Sequence, residues 1–236
     1  AVTVARLVEL LGVSTETVRR DLEDLENNNM LTRVHGGAVS VKKRYRFEDM
    51  DVRGTSNMEL KEQIARKALE YVKDGDTIAI DSGSTASLFA MALKARNFDS
   101  LSVITYSSEV FSILSECGNY RITLLGGEYL PKEKLFYGFL THEAMQKLYF
   151  SKAFVVPSAL SVEDGAHDFI RETYENQCML IGHASEVFLL ADSTKFETKG
   201  DFKLSDLQPE FTIITDDKLP ESVYNMYRDH KLNVVS

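Results

Sequence analysis

The chain has few cysteines and histidines, the residues that form disulfide frameworks and zinc sites. Its two cysteines, Cys117 and Cys178, lie far apart and form no CxxC pair, which excludes a disulfide framework and a zinc-binding spacing. The five histidines are scattered without the spacing of metal ligands. We therefore expect no metal and no cofactor.

Long apolar runs are also missing. No stretch approaches the roughly 20 apolar residues of a transmembrane helix, and no signal peptide is recognisable. We expect a cytoplasmic protein that does not bind a membrane.

Positive charge is scarce overall but unevenly distributed. The chain of 236 residues carries 27 Lys and Arg against 36 Asp and Glu, a net charge of −9, which by itself argues against nucleic acid. Residues 1–46 hold 8 basic and 6 acidic residues (net +2), whereas residues 47–236 hold 19 and 30 (net −11). A mildly basic module joined to an acidic one is typical of a DNA-binding domain tied to a domain with another task.

The N-terminal residues predict a helix-turn-helix followed by a hairpin. The first helix begins after Thr3, a suitable N-cap, and ends at Gly12. Its apolar face is formed by Val4, Leu7, Val8 and Leu11. Ser14 is the N-cap candidate of the second helix, and residues 30–34 and 38–41 predict two strands around a glycine turn. This order predicts a winged helix-turn-helix domain over residues 1–41 and a polar linker over residues 42–56.

The second helix buries a stripe of Val18, Leu22 and Leu25, and its other face suits DNA. Short polar groups and guanidinium groups bind base edges and phosphates. The alternative to DNA binding is a helix-turn-helix that serves only for packing, with Arg19 and Arg20 exposed to solvent. The amphipathic helix, the arginine pair and the basic hairpin would then occur together by coincidence. The candidate DNA-binding residues are Ser14, Thr15, Glu16, Thr17, Arg19, Arg20, Arg33, His35 and Gly36.

From residue 57 onward, apolar strand patterns alternate with helical patterns. The predicted strands cover residues 77–80, 101–105, 121–125, 153–156, 187–191, 211–215 and 234–235, and the predicted helices cover 58–72, 84–93, 108–115 and 172–184. Such alternation predicts an α/β fold with a doubly wound, mainly parallel sheet. We assign residues 57–236 to this domain.

Hydroxyl-rich and glycine-rich loops follow three of the predicted strands. Ligands of such sheets lie at the carboxyl ends of the strands, where backbone N–H groups and hydroxyls cradle a phosphate. Ser and Thr are also ordinary N-caps, so each loop alone fits a structural role. Together the loops favour a small phosphorylated or polyhydroxyl ligand. Their candidate effector-binding residues are Asp81, Ser82, Gly83, Ser84, Thr85, Thr105, Tyr106, Ser107 and Gly127.

Two further candidates come from later loops. Asp164, in a predicted turn, suits a sugar hydroxyl. Lys195, after a predicted strand, suits an anion, although a solvated loop lysine is an equally good interpretation.

Motifs along essentially the whole chain resemble the DeoR family of bacterial transcription regulators. The N-terminal motifs are STETVRRDLEDLE and RVHGGAV, and the later ones include DSGST, LLGGEY, AFVVPSAL, EDGAHD and LLADSTKF. The resemblance implies a winged helix-turn-helix and a sensor domain that is similar to ribose-5-phosphate isomerase and binds a sugar phosphate or related metabolite. In that family another helix precedes residues 4–11, so we expect the helix-turn-helix to be incomplete and the chain to be N-terminally truncated.

This chain departs from the family pattern at three places. It has Tyr106 where the family usually has an asparagine, and Gln177 near a usual lysine or arginine. The usually glycine-containing segment after the strand at Ala153 reads VPSALS. These changes lie in or near the expected pocket and bear on which effector it takes.

The sequence thus predicts a regulator, expected to repress carbohydrate metabolism genes, that binds double-stranded operator DNA and a small phosphorylated metabolite. We expect a homo-oligomer, a dimer or a tetramer, held together by the acidic domain. The alternative is a sugar-phosphate isomerase-like enzyme, but no motif pairs Asp164 or Lys195 with a general base, so no catalytic residue is assigned. A protein-interaction scaffold would leave the arginine-bearing helix unexplained.

Overall fold

The computed structural model describes residues 2–27, 31–34, 36–40 and 50–236. The chain divides into two compact units, residues 1–46 and residues 47–236. None of the helices in the described parts is long and apolar enough to cross a bilayer.

The first unit is a small helix-turn-helix with a three-stranded antiparallel sheet. Its elements are β1 (Val2–Thr3), α1 (Val4–Leu11), α2 (Thr15–Asn27), β2 (Leu31–Val34) and β3 (Gly37–Ser40), with the sheet order β1-β3-β2. The predicted caps are confirmed, since the Arg6 N–H donates to Thr3 Oγ1 (3.3 Å) and the Thr17 N–H to Ser14 Oγ (3.1 Å). Gly12 ends α1 with φ +64°.

A short strand before α1 extends this hairpin sheet, which the sequence patterns did not predict. Strand β1 pairs with β3, and a Cβ at Gly37 would stand 2.1 Å from the carbonyl oxygen of Val2. Gly37 is therefore required by this close approach rather than by the turn itself. The unit's core is made of Val18, Leu22 and Ala38 with partly buried neighbours from α1.

The second unit is built on a seven-stranded parallel sheet, which confirms the predicted doubly wound fold. Its strands are β4 (Thr77–Ile80), β5 (Leu101–Thr105), β6 (Tyr120–Leu124), β9 (Phe150–Val155), β12 (Ala184–Leu190), β14 (Thr212–Ile214) and β15 (Asn233–Val235). The helices are α3 (Met50–Thr55), α4 (Met58–Leu69), α5 (Ser84–Arg96), α6 (Ser108–Leu114), α7 (Phe139–Met145), α8 (Arg171–His183) and α9 (Glu221–Asp229).

The two faces of this sheet bury separate apolar clusters. In one cluster, apolar side chains of α4, α5 and α6 pack against strand residues such as Ile78 and Phe154. In the other cluster, apolar side chains of α7, α8 and α9 pack against Ala79 and Val155, which follow Ile78 and Phe154 in the chain. Because successive strand residues point to opposite faces, the continuous apolar runs of the sequence follow from burial on both sides.

Several elements differ from the sequence prediction. The predicted linker over 42–56 contains α3, whose Met50 is buried. The helix predicted over 58–72 ends at Leu69. The sequence patterns missed α7, α9, the hairpin of β7 (Glu128–Leu130) with β8 (Leu135–Tyr137), and a three-stranded sheet of β10 (Ala159–Ser161), β11 (Gly165–Asp168) and β13 (Phe202–Ser205).

Candidate effector site and DNA-binding surface

The strand order of the large sheet, β15-β14-β12-β9-β4-β5-β6, reverses its direction of growth between β4 and β9. In open α/β sheets the ligand crevice lies outside the carboxyl ends of the strands at such a switch point. Here the loop after β4 meets the loop after β9, because the Asp81 N–H donates to the Phe154 oxygen (3.0 Å) and the Val156 N–H donates to Asp81 Oδ2 (2.8 Å). The topology therefore places the candidate site at Asp81 and the residues that follow it.

Asp81 is the centre of a buried polar network. Its carboxylate accepts hydrogen bonds from the Ser82 N–H (2.6 Å), Gln177 Nε2 (2.7 Å) and the Tyr106 hydroxyl, besides the Val156 N–H. Burial raises the pKa of Asp81 to about 6, against the opposing effect of these donors. The structure thus places the predicted effector residues Asp81 and Tyr106 inside the protein, where they join loops. Tyr106 and Gln177, two departures from the family pattern, meet at one carboxylate.

The loop from Ser82 to Thr85 opens α5 and is nearly buried. Gly83 is the N-cap of α5, has φ +102°, and supplies no side-chain acceptor to the first turn. A Cβ at Gly83 would lie 3.7 Å from Arg53 Nη1 and 3.9 Å from Val156 Cγ1. The first turn of α5 therefore directs N–H groups with a partial positive charge toward a space bordered by a guanidinium.

Arg53 borders this loop, and it lies close enough to Lys61 and Lys195 for their charges to interact; we call these three residues the cationic cluster. Burial lowers the pKa of Lys195 to about 8, and the charges of Arg53 and Lys61 act in the same direction, against Asp192 and Asp168. Lys61 is 4% exposed, and its Nζ donates to the carbonyl oxygens of Ser56 (2.7 Å) and Arg53.

The sequence predicted only Lys195 among these three. It missed Arg53, which lay in the expected linker, and Lys61, which lay on a helix with no motif. No sequence motif surrounds either residue, because tertiary packing rather than local sequence brings both toward Lys195.

In the acidic segment EDGAHD, Asp168 rather than the predicted Asp164 acts on Lys195. Asp168, 1% exposed, accepts hydrogen bonds from Ser158 Oγ (3.0 Å) and the Phe169 N–H (2.7 Å), and its charge acts on Lys195. Burial raises the pKa of Asp168, and Arg53 is among the groups that oppose this rise. Asp164 instead lies in the turn between β10 and β11, where Lys199 Nζ donates to its Oδ1 (2.7 Å).

The other predicted loops have structural roles. Thr105 Oγ1 accepts from the Ser107 N–H (3.0 Å), and Ser107 Oγ caps α6 through the Val110 N–H (3.2 Å). A Cβ at Gly127 would stand 2.3 Å from Thr141 Oγ1, so glycine is required there by packing. The ligand role predicted for these residues stays a prediction.

The inward face of α8 is polar where it approaches the switch point. Thr173, Asn176 and Gln177 are all buried on this face. Gln177 Nε2 donates to Asp81 and to the Val156 oxygen (3.0 Å), but Gln177 Oε1 and Thr173 Oγ1 have no hydrogen-bond partner among the described residues. Buried acceptors of this kind are costly unless a water or a ligand satisfies them.

The structure also places the predicted DNA-binding residues. All of those at the start of the second helix are exposed, whereas Val18 and Leu22 are buried: the exposed residues are Ser14, which caps α2, and Thr15, Glu16, Thr17, Arg19 and Arg20 on α2. Arg33 is exposed on β2, its backbone N–H donates to Glu26 Oε1 (2.7 Å), and its Nη1 lies 3.9 Å from Glu23 Oε2. Gly36 forms the turn with φ +85°, and His35 lies outside the described residues.

A metal site is not assembled in the described residues, which contain no group of three or more His, Cys, Asp or Glu side chains able to hold an ion. A helix-turn-helix with an exposed, arginine-bearing second helix, joined in one chain to an α/β unit, is the architecture of a DNA-binding transcription regulator.

The comparisons with known proteins give the family. The model described as DeoR-like helix-turn-helix domain matches residues 1–44, and the one described as DeoR C terminal sensor domain matches residues 56–217. The chain belongs to the DeoR family, as the motifs predicted. It is a DNA-binding transcription regulator, and the isomerase alternative is not supported.

Relatives agree with this assignment. The lactose phosphotransferase system repressor of Lactococcus lactis subsp. lactis is 36% identical over 92% of this chain and 86% of that protein. The HTH-type transcriptional regulator GolR of Listeria innocua serovar 6a is 30% identical over 99% of this chain and 91% of that protein. Among solved structures, ribose 5-phosphate isomerase A of Methanocaldococcus jannaschii aligns with a TM-score of 0.46 and 19% identity, covering 61% of this chain and 56% of that one.

Proposed function

We propose that this protein is a cytoplasmic repressor of carbohydrate metabolism genes whose second unit binds a phosphorylated sugar. Binding of the sugar phosphate at the switch point alters the affinity of the first unit for operator DNA. The names of the relatives, which are repressors and regulators, support a repressor of sugar genes.

The observation that carries the effector proposal is the cationic cluster. The second unit has a net charge of −11, so it repels anions at long range, yet Arg53 borders the loop before α5 and lies close to Lys61 and Lys195. These cations repel one another, and the repulsion and burial of Lys195 are opposed by Asp192 and Asp168, while Arg53 pairs with Glu133, so a bound anion would add to this charge balance. A phosphate group at residues 82–85 would accept hydrogen bonds from the N–H groups of α5 and from the cations.

The remaining polar groups favour a phosphorylated sugar over a bare phosphate. Gln177 Oε1 and Thr173 Oγ1 are buried acceptors without partners among the described residues, and they lie one helical turn apart on α8. Sugar hydroxyls are donors that would satisfy them. The ligand we propose therefore has a phosphate at one end and hydroxyls at the other.

The test is a thermal-shift titration of the full chain with a panel of pentose and hexose phosphates. A ligand that binds only the folded state raises the unfolding temperature by mass action. Lys195→Ala should weaken the effect, whereas Lys147→Ala, which removes an exposed lysine paired with Glu143 on α7, should not. If neutral sugars stabilise the protein and phosphates do not, the phosphate assignment fails.

We further propose that the protein binds its operator as a dimer or tetramer, as helix-turn-helix proteins do to pair two half-sites. Sedimentation velocity of the full chain tests this, and a strict monomer at micromolar concentration would contradict it.

A further inference from the structure

Large apolar side chains are exposed along one short stretch of the second unit. Within the described residues 50–236, the three most exposed of them are Phe139 (74%), Leu140 (65%) and Tyr149 (81%). All three lie on α7 or within four residues of its end. A single exposed apolar residue is ordinary, whereas a group of them on one element marks an interaction site.

Helix α7 presents this stretch to solvent because its opposite face is fixed to the rest of the unit. Thr141 and Met145 are buried, and Thr141 Oγ1 donates to the Gly126 oxygen (2.9 Å). On the same side, His142 Nε2 lies 3.1 Å from Asn176 Oδ1 on α8. The exposed positions have the spacing of one helical face and are Phe139, Leu140, Glu143, Gln146 and Lys147.

Tyr149 is exposed but held in place. The ring of His183, at the end of α8, lies 5.6 Å from the Tyr149 ring, and His183 Nδ1 donates to the carbonyl oxygen of Leu148 (3.0 Å). An aromatic ring that is fixed before binding loses little conformational entropy when a partner covers it. Tyr149 thus has the properties of an interface anchor.

The charges on this face are self-complementary. Glu143 and Lys147 lie one helical turn apart, and within one copy Glu143 Oε1 is 3.6 Å from Lys147 Nζ. When two copies of α7 pair antiparallel about a twofold axis between these residues, Glu143 of each copy faces Lys147 of the other. The same arrangement brings Phe139 of one copy toward Tyr149 of the other. Such reciprocal contacts are what a twofold interface requires, so the face fits a second copy of this chain.

We propose that the exposed face of α7, together with Tyr149, is the surface through which two copies of this chain pair about a twofold axis. The inference rests on the dimer proposed above for operator binding and names the surface that forms it. Phe139 and Tyr149 of both copies bury roughly 600–1,000 Å² in such a pair, since one aromatic side chain buries about 150–250 Å². That is a large part of the roughly 1,200–2,000 Å² of a stable interface, and Leu140 and the charged pairs add to it.

The first test removes the aromatic side chains and measures the dimer dissociation constant of the full chain by sedimentation velocity. Phe139→Ser and Tyr149→Ser should each raise this constant at least about tenfold, because each variant removes an anchor from both copies. Both side chains are exposed, so neither substitution should prevent folding. Met91→Ser is the matched control, since Met91 is an exposed apolar residue on α5.

The second test reverses the charges. Glu143→Lys should weaken self-association, and so should Lys147→Glu, because each places like charges opposite one another in a pair of identical copies. An equimolar mixture of the two variants should recover the dimer, since every charged contact across the axis then joins opposite charges. An ion pair within one copy predicts no such recovery. Truncating one of these charges should change little, because exposed ion pairs contribute little.

The outcomes separate this inference from the function on which it rests. If the wild type dimerises and the aromatic and charge-reversed variants dimerise equally well, another surface forms the dimer and the inference fails alone. It also fails if Met91→Ser weakens the dimer as much as Phe139→Ser does, because the effect is then not specific to α7. If the wild type is a monomer at micromolar concentration, the proposed dimer fails as well, and the face does not bind a second copy.

Discussion

Asp81 joins four parts of the second unit through one carboxylate. Its oxygens hold its own loop, the end of β5 through Tyr106, the end of β9 through Val156, and α8 through Gln177. The sequence indicated that Asp81 lies at a ligand site, but not that it is fully buried. Burial of this kind depends on which strands become neighbours, and a single strand pattern does not contain that information.

Asp81 also predicts a pH dependence of stability. Its folded pKa of about 6 lies above the ordinary value of 3.8, so between these values the folded state binds more protons than the unfolded state. The free energy of unfolding should therefore fall as pH rises from about 4 to 6, by about 3 kcal/mol from this group. In Asp81→Asn this contribution should be absent. Urea denaturation of both proteins from pH 4 to pH 7 measures the difference, and parallel pH profiles would contradict the prediction.

Lys195 predicts a pH dependence of effector binding. Its pKa of about 8 means that part of the population is neutral at pH 8, and a bound anion favours the charged form. Binding should therefore take up a proton and weaken as pH rises above about 8. Calorimetry in two buffers of different ionisation enthalpy measures this uptake. Lys195→Arg should bind without it, because arginine stays charged.

At the scale of elements, the sequence predicted best the segments that are buried on both faces. The strands at 77–80 and 101–105 have the predicted bounds, because an uninterrupted apolar run has few other stable placements. The β7–β8 hairpin was missed because its strands are three residues long and only Leu135 among their residues is buried. Helix α3 was missed because only Met50 of its residues is buried, so it shows no apolar period.

At the loop before α5, two glycine variants separate the effect of backbone strain on stability from the loop's proposed role in binding phosphate. Gly83 and Gly75 both have positive φ, +102° and +86°, so Gly83→Ala and Gly75→Ala should each lower stability by about 1 kcal/mol or more. Only Gly83→Ala places a methyl group beside Arg53 Nη1 at the proposed phosphate loop. It alone should also weaken phosphate binding, as measured by calorimetry. If the two variants bind phosphate with equal affinity, the anion does not bind at the loop that contains Gly83.

At the scale of the whole molecule, an acidic chain has to bind an anionic polymer. The net charge of +2 on residues 1–46 is small, so we expect DNA affinity to depend on a few cations such as Arg19, Arg20 and Arg33. The sequence predicts the helices and caps of this unit because they are local features. It did not predict that Arg53 and Lys61 lie near Lys195, because tertiary packing brings these residues together.

This charge distribution predicts the effect of one arginine on DNA binding. Arg20→Ala on α2 should weaken operator binding, and the slope of log affinity against log salt should fall by about 1 if Arg20 contacts a phosphate. Arg6→Ala is the matched control, because Arg6 is exposed on α1 and pairs with Glu9 (2.7 Å). Fluorescence anisotropy over a range of salt concentrations measures both. Equal slopes for wild type and Arg20→Ala would exclude a phosphate contact by Arg20.

The pairing of β1 with β3 has a consequence for the length of DNA that one copy reads. The Val4 N–H donates to the Gly36 oxygen (3.0 Å), and Val2 pairs with Ala38, so the hairpin is attached to the start of α1 rather than hinged on its own turn. The helix and the hairpin are therefore expected to contact the duplex at a fixed distance from each other. An operator with one base pair inserted between the two contacts turns one of them about 35° out of reach, roughly the rotation per base pair when a helical turn holds 10 to 10.5 of them.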